Sequence, residues 1–304
     1  MFGATSTADE VLGDIDLSGA RVLVTGVSAG VGLETARALA NRGAEVVGAV
    51  RDLGKAEAAL AKARAGAASR GDIRLIELDL ASLSKVRGCA DALREAAEPF
   101  NAVICNAGVM ATPKGTTADG FETQFGTNHL GHFTLVNRIA DLVRPNGRLV
   151  VVSSAGHRGA DVDLDDPNFE RSPYDPLKAY RRSKTAMVLF AVEFDRRHKD
   201  HGVRATAVHP GAVLTETARR LIEAQPSAAS AFRWKTAAQG AATSVWAAFV
   251  APAEDIGARY CEDCQIAETI DDPAASVGAR SYALDPDRAK ALWAKSEEMV
   301  GERF

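Results

Sequence analysis

Tyr180 and Lys184 stand four residues apart in Tyr180-Arg181-Arg182-Ser183-Lys184. Within the helical pattern that runs from about Leu177 to His198, this spacing puts phenol and ammonium on one face, roughly 6 Å apart along the axis. A tyrosine ordinarily titrates near a pKa of about 10, so half-ionisation at neutrality requires about 3 units, or roughly 4 kcal/mol, in favour of the anion. A neighbouring ammonium supplies a bias of that kind. Such a tyrosine can protonate a carbonyl oxygen or accept an alcohol proton. Alone, the Y-x-x-x-K spacing is common on helices that do no chemistry, so the rest of the chain must supply the context.

That context begins at Arg21 to Ala40, RVLVTGVSAGVGLETARALA. Val22, Leu23 and Val24 are consecutive apolar residues without alternation, the pattern of a strand buried on both faces. Gly26, Gly30 and Gly32 mark a turn, and Val31, Leu33, Ala36, Leu39 and Ala40 then keep approximate helical spacing. Glycines at a strand-to-helix turn let the backbone bend tightly and let a pyrophosphate approach, while the helix N-terminus attracts the anion. An ordinary glycine-rich loop would show the same residues, and the spacing by itself leaves both readings open.

The chain has 304 residues, of which 46% are apolar. One substantial core can be buried at that length, and alternating strand and helix patterns predict a single α/β domain from residue 21 to 304, preceded by a polar arm of residues 1–20. A formal charge of -4 argues against a nucleic-acid partner. No apolar run reaches the roughly 18 residues of a membrane span, and MFGATSTADE lacks the regions of a signal peptide, which points to a cytoplasmic protein. Cys89 and Cys105 fall in apolar patterns. Cys261-x-x-Cys264 has no second pair or suitably spaced histidine, so no metal site is expected.

Further strands are predicted at Glu45–Val50, Ile73–Leu78, Ala102–Cys105, Arg148–Val152, Arg204–Val208 and Ala258–Cys261. Helices are predicted at about Lys55–Ser69, from a Ser82 N-cap toward Glu98, at Phe121–Val143, Leu177–His198, Thr236–Val250 and Pro286–Val300. Two irregular segments, about 155–176 and 212–235, flank the candidate chemistry and are expected to read the substrate. His157, Phe169, Tyr174, Phe232 and Trp234 are the candidates for lining it. Repeated βα units imply a doubly wound parallel sheet with right-handed crossovers and helices on both faces, with ligands bound beyond the carboxyl ends of the strands.

Thr25-Gly26-x-x-x-Gly30-x-Gly32, Asn106-Ala107-Gly108, Asn128 within Gly126-Thr127-Asn128-His129-Leu130-Gly131, Ser153-Ser154, the Tyr180/Lys184 pair and Pro210-Gly211-x-x-x-Thr215 follow one another in order. Together they resemble the short-chain dehydrogenase/reductase family over residues from about 20 to 215. VVVSSAGHR, AYRRSKTAMVLF and AVHPGAV resemble its retinol-dehydrogenase-like and protochlorophyllide-reductase-like branch. The resemblance implies a Rossmann fold, a nicotinamide cofactor and apolar carbonyl or alcohol substrates, with reduction of an activated C=C bond as an alternative. It implies that Tyr180 is the general acid/base and that Lys184 lowers its pKa and binds the nicotinamide ribose. Ser154 would bond the substrate oxygen, and Asn128 would order a water in a proton relay. Gly26, Ser28, Ala29, Gly30, Val31, Gly32, Asn106, Ala107 and Gly108 would line the cofactor. Asp79 would meet the adenine amino group beside Leu80, and Pro210, Gly211, Val213 and Thr215 would hold the carboxamide side. Ser153 remains an alternative reactive serine, although strand alternation and the family's position favour Ser154.

Val50 and Arg51 stand where an NAD-selecting chain commonly places an acid after the second strand. A guanidinium suits a 2′-phosphate, so NADP(H) is favoured and NAD(H) is the alternative, with Ala29 and Asp52 counting the other way. A cofactor-sensing binding protein on the same fold is the reading from another class, against which the intact Ser154, Tyr180 and Lys184 set speaks. The helix faces of Phe121–Val143 and Leu177–His198 resemble surfaces through which the family forms homodimers.

Overall fold

Consecutive branched apolar residues build the strands β1 (Arg21–Thr25), β2 (Glu45–Val50), β3 (Asp72–Glu77), β4 (Phe100–Cys105), β5 (Val143–Val152), β6 (Arg204–His209), β7 (Tyr260–Glu262) and β8 (Gln265–Ile266). The computed structural model describes residues 2–64, 70–224 and 233–304. One eight-stranded sheet has the order β3-β2-β1-β4-β5-β6-β7-β8, parallel throughout except for the β7–β8 pair. Winding reverses between β1 and β4, and the crevice at their carboxyl ends is where open sheets of this kind hold ligands.

The helices are α1 (Ala8–Leu12), α2 (Gly30–Asn41), α3 (Leu53–Arg64), α4 (Leu83–Ala96), α5 (Thr123–Phe125), α6 (Gly131–Arg138), α7 (Pro176–His198), α8 (Glu216–Ala224), α9 (Ala237–Val245), α10 (Ala253–Ile256), α11 (Ser281–Leu284) and α12 (Pro286–Val300). Helices cover both faces of the sheet. Val22 and Val24 join the apolar core beneath α2 and α9, whereas Leu23 joins the core beneath α4, α6 and α7. Both sides of β1 are thus buried, as its unalternating run requires.

Several expected boundaries move. Residues 1–20 are more than a polar arm, because α1 carries a Thr7/Glu10 capping box and buries Ala8, Val11 and Leu12. Helical structure after Phe121 ends at Arg138, with a 3-10 turn at Ala140–Leu142. Val143 instead pairs with Phe100 and begins β5, and the Pro145-Asn146-Gly147 stretch makes an irregularity before Arg148 pairs with Ala102. Ser82 occupies an N-cap position, yet the cap comes from Asp119, whose Oδ2 accepts the Leu83 N–H at 2.8 Å. Residues 65–69 of the expected third helix lie outside the described residues.

Much of the two helices expected to offer faces to a second copy packs within the chain. Residues Arg182 to Asp195 of α7 are all buried, and α12 packs across them, with the Trp293 ring centroid 5.0 Å from Phe133 and 6.0 Å from Phe190. Among the described residues no helix is long and apolar enough to cross a membrane.

Candidate active site

Gly26 closes β1 with φ +77°, and a Cβ there would lie 2.9 Å from the Ala107 Cα. At Gly32, a Cβ would lie 2.2 Å from the Asn106 Nδ2. These two glycines therefore let the β1 turn press against Asn106-Ala107 at the end of β4, on the crevice side. Helix α2 starts from Ala29 in extended conformation with no side-chain cap, whereas Asp175 and Asp285 cap α7 and α12. First-turn N–H groups without a side-chain acceptor, at a turn whose glycines allow this close backbone packing, suit a dinucleotide pyrophosphate. Ser28, Gly30 and Val31 are partly exposed on this turn and Ala29 is exposed.

Asn106 holds the turn rather than standing free. Its Nδ2 donates to the Thr25 carbonyl at 2.9 Å and to the Gly26 carbonyl at 3.3 Å. Thr25 Oγ1 in turn accepts the N–H groups of Asn106 and Ala107, each at 2.9 Å. Gly108 is exposed beside this joint, and a Cβ on it would lie 3.0 Å from Asn128 Oδ1 and 3.7 Å from Lys184 Nζ.

Tyr180 and Lys184 project from α7 toward the ends of β5 and β6. Lys184 Nζ donates to the Val152 carbonyl at 3.0 Å and lies 5.7 Å from the Tyr180 ring centroid. Burial lowers the lysine to about 8. Burial also raises the Tyr180 hydroxyl above its ordinary range, while a hydrogen bond with Ser154 acts in the opposite direction. In the chain alone, desolvation thus outweighs the Ser154 hydrogen bond, and the phenol is protonated at neutral pH.

The adjacent serines separate cleanly. Ser153 is buried and its Oγ donates to the Lys184 carbonyl at 2.8 Å. Ser154 is partly exposed, accepts the Gly156 N–H at 3.0 Å and sits by the Tyr180 hydroxyl. Gly156 forms the floor between them, since a Cβ would lie 3.1 Å from Tyr180 Cε1 and 3.5 Å from Ser154 Oγ.

Asn128 lies in a π-helical turn, Gly126–Leu130, between α5 and α6. Its Oδ1 accepts the Val109 N–H at 2.8 Å, and its Nδ2 donates to the Val109 carbonyl at 3.0 Å and to Ser183 Oγ at 2.9 Å. Both amide protons are committed, so the side chain ties the loop after β4 to α7. The relay expected of Asn128 would have to run through the remaining lone pairs on its two oxygens.

Across the crevice, Gly211 has φ +87° and the aliphatic chain of Lys235 lies over it. Lys235 pairs with Asp263 at 2.5 Å and with Val213 through a backbone bridge. Thr215 faces the glycine turn, its Cγ2 3.4 Å from where a Gly30 Cβ would stand. Pro210 is partly exposed and Val213 is buried. Arg51 is exposed at the end of β2, and Asp52 accepts the Lys55 N–H at 2.9 Å as a helix cap. Asp79 likewise accepts the Ala81 N–H at 3.0 Å, while Leu80 is buried and packs against Gly131.

Most of the expected substrate-lining residues turn inward. His157 is fully buried, with Nδ1 donating to the Ser154 carbonyl at 2.7 Å. Phe169 is buried, and the Tyr174 hydroxyl donates to the Thr112 carbonyl at 2.9 Å. Trp234 is partly exposed and Phe232 lies outside the described residues. Cys261 and Cys264 are buried, their thiols raised by burial to about 12 and about 11. Among residues that carried no expectation, Thr25, Ser183, Gly156 and Lys235 belong to the site's framework. The signal for Thr25 was its place before Gly26; the others gave none.

Comparison with known proteins is consistent along most of the chain. Residues 20–226 match the family described as short chain dehydrogenase. Oxidoreductase calI of Penicillium decumbens is 38% identical over 319 residues, covering 97% of this chain and 92% of that protein. Human retinol dehydrogenase 13 is 36% identical over 294 residues, covering 94% and 86%. A solved structure of an uncharacterised protein from Mycobacterium paratuberculosis superposes with a TM-score of 0.74 at 34% identity, covering 97% of this chain and 98% of that one.

Proposed function

The chain belongs to the short-chain dehydrogenase family, and on that premise we propose that it moves hydride between a nicotinamide dinucleotide and an apolar ketone, aldehyde or secondary alcohol. The observation that carries this reading is the meeting of Tyr180, Ser154 and Lys184 at the same carboxyl edge of the sheet as the uncapped, glycine-lined start of α2. Gly26, Ser28, Ala29, Gly30, Val31, Gly32, Asn106, Ala107 and Gly108 would hold the dinucleotide, with Val213 and Thr215 on its nicotinamide side. When bound, the nicotinamide supplies the hydride.

The chain's own part is proton handling and placement. In reduction, Tyr180, kept protonated by burial, gives its hydroxyl proton to the substrate oxygen. Ser154 donates a hydrogen bond to the same oxygen, and the phenolate left behind is stabilised by the Lys184 ammonium. Oxidation runs these steps backward. Lys184 is anchored by the Val152 carbonyl, so its charge is held in place rather than recruited.

Apolar substrates are supported by two exposed leucines close in sequence to the proposed site residues. Leu177, 49% exposed, stands one helical turn before Tyr180, and Leu214, 37% exposed, precedes Thr215. Arg51, exposed at the end of β2 with the neighbouring Asp52 engaged as a cap, supports NADP(H) over NAD(H). The test is NADPH consumption over a panel of aromatic, terpenoid, steroid and retinoid carbonyls. Turnover of apolar members is expected, and turnover confined to polar, charged carbonyls would overturn the substrate assignment.

A further inference from the structure

Thr25, at the last position of β1, and His132, in α6, are 107 positions apart in sequence, yet Thr25 Oγ1 and His132 Nε2 lie 2.9 Å apart. Both side chains are fully buried. On its other side the His132 Nδ1 lies 2.8 Å from the Asn128 carbonyl oxygen. A carbonyl only accepts, so Nδ1 carries the ring proton. Burial lowers the imidazole to about 4 and keeps it neutral, which leaves Nε2 bare. Thr25 already accepts two backbone N–H groups, and its own proton is therefore the one that reaches Nε2. Every hydrogen of this joint has one place to go.

We propose that His132 is a positioning residue: a buried bridge that locks the threonine opening the dinucleotide turn to the π-helical turn of Asn128, and through Ser183 to the helix of Tyr180 and Lys184. The bridge joins the end of β1 to the helical turn before α6. On one side, Thr25 fixes Asn106 and Ala107 against Gly26, which shapes the cofactor cradle. On the other, Asn128 Nδ2 reaches Ser183 Oγ at 2.9 Å, and Ser183 donates to the Tyr180 carbonyl at 2.7 Å. Cofactor cradle and proton donor are thereby held in one geometry by four residues in series, Thr25, His132, Asn128 and Ser183, with His132 bonded to the Asn128 backbone carbonyl and the Asn128 side chain to Ser183. His129, three residues earlier, faces away: its Nε2 meets Ser296 Oγ at 2.7 Å, on α12. It anchors the same turn without touching the cradle.

The inference rests on the dinucleotide reading of the glycine turn, and NADPH binding tests it apart from substrate turnover. The Kd for NADPH would be measured by fluorescence titration for His132→Leu, His132→Gln, Thr25→Val and the Thr25→Val/His132→Leu pair, with His129→Leu as the comparison and thermal melts to confirm folding. His132→Leu is expected to weaken NADPH about tenfold, the size of one lost buried hydrogen bond. His132→Gln, which keeps an acceptor for Thr25, should recover most of it. The double variant should lose less than the product of the two single losses, because both remove the same bond. His129→Leu should lower the melting temperature and leave the Kd within about twofold. If His132→Leu fails to fold, His132→Met against His132→Gln, side chains of similar volume of which only the second offers Thr25 a strong acceptor, reads the same bond. A folded His132→Leu with wild-type Kd, fully multiplying losses, or an equal loss in His129→Leu would overturn the bridge. Absence of NADPH binding in the wild type would instead overturn the dinucleotide reading.

Discussion

The hydroxyl of Ser153 donates to the backbone carbonyl of Lys184 at 2.8 Å, deep in the core between β5 and α7. That bond occupies one of two adjacent serines with structure and leaves its neighbour Ser154 facing Tyr180. Ser153→Ala is expected to cost about 1 kcal/mol of stability, the net worth of a typical hydrogen bond. Ser154→Ala is expected to lower kcat about a hundredfold, since it removes a donor to the reacting oxygen, and to cost no more than about 1 kcal/mol of stability through its lost bond to the Gly156 N–H. Chemical denaturation alongside steady-state kinetics separates the two; a reversed pattern would make Ser153 the reactive serine.

Gly156 controls how closely Tyr180 can stand to Ser154. A methyl group at this position would lie 3.1 Å from Tyr180 Cε1, so the ring must shift by a few tenths of an ångström. Gly156→Ala should lower kcat about tenfold through misplacement of the phenol, with NADPH affinity unchanged. Kinetics with wild-type kcat would show that the ring has room that the structure does not give it.

Arg51 and Asp52 are neighbours with different work. Arg51→Ala should weaken NADPH roughly tenfold or more and NADH little, because a charge-assisted contact to a 2′-phosphate is lost. Asp52→Ala should cost about 1 kcal/mol of stability through the lost cap of α3 and shift the two cofactors equally. Titration of both cofactors against both variants reads this directly, and equal losses of NADPH and NADH in Arg51→Ala would remove the basis for NADP preference.

Acid should destabilise the protein through its buried imidazoles. Burial lowers His129 to about 3, and His132 and His157 to about 4, from 6.5. The unfolded chain then binds protons more readily than the folded one, so stability is lost as pH falls below 6.5 and levels off toward 4 to 3. At pH 5 each of the three contributes a loss of about 2 kcal/mol. Urea denaturation of the wild type and His132→Leu at pH 7.5 and pH 5 checks the sign. The variant should lose less between the two pH values, and an identical loss would mean that His132 is not held neutral.

The parts of this protein that obey local rules were readable in its sequence. Val22, Leu23 and Val24 announce a doubly buried strand, and Tyr180 and Lys184 share a helix face through spacing alone. The glycine turn was readable because close backbone approach admits little else. What stayed hidden depends on contacts between distant positions. Nothing near Ser82 says that Asp119 will cap its helix, and nothing near Val143 says that Phe100 will draw it into the sheet. His157 and Phe169 looked like loop residues open to a substrate, but Ser154 and Arg182 hold them inward, the latter with its guanidinium 4.5 Å from the Phe169 ring centroid. The Thr25–His132 bond joins residues that no periodicity connects.

The Tyr180 hydroxyl is the proposed proton donor in a nicotinamide-dependent reduction. The most direct measurement is single-turnover reduction of an apolar carbonyl by wild type and Tyr180→Phe, each preloaded with NADPH whose Kd is measured in the same preparation. The variant is expected to bind NADPH within about twofold of wild type and to reduce the carbonyl at least about a hundredfold more slowly. Equal single-turnover rates, with NADPH bound equally well, would contradict this assignment and move the proton donor to another group.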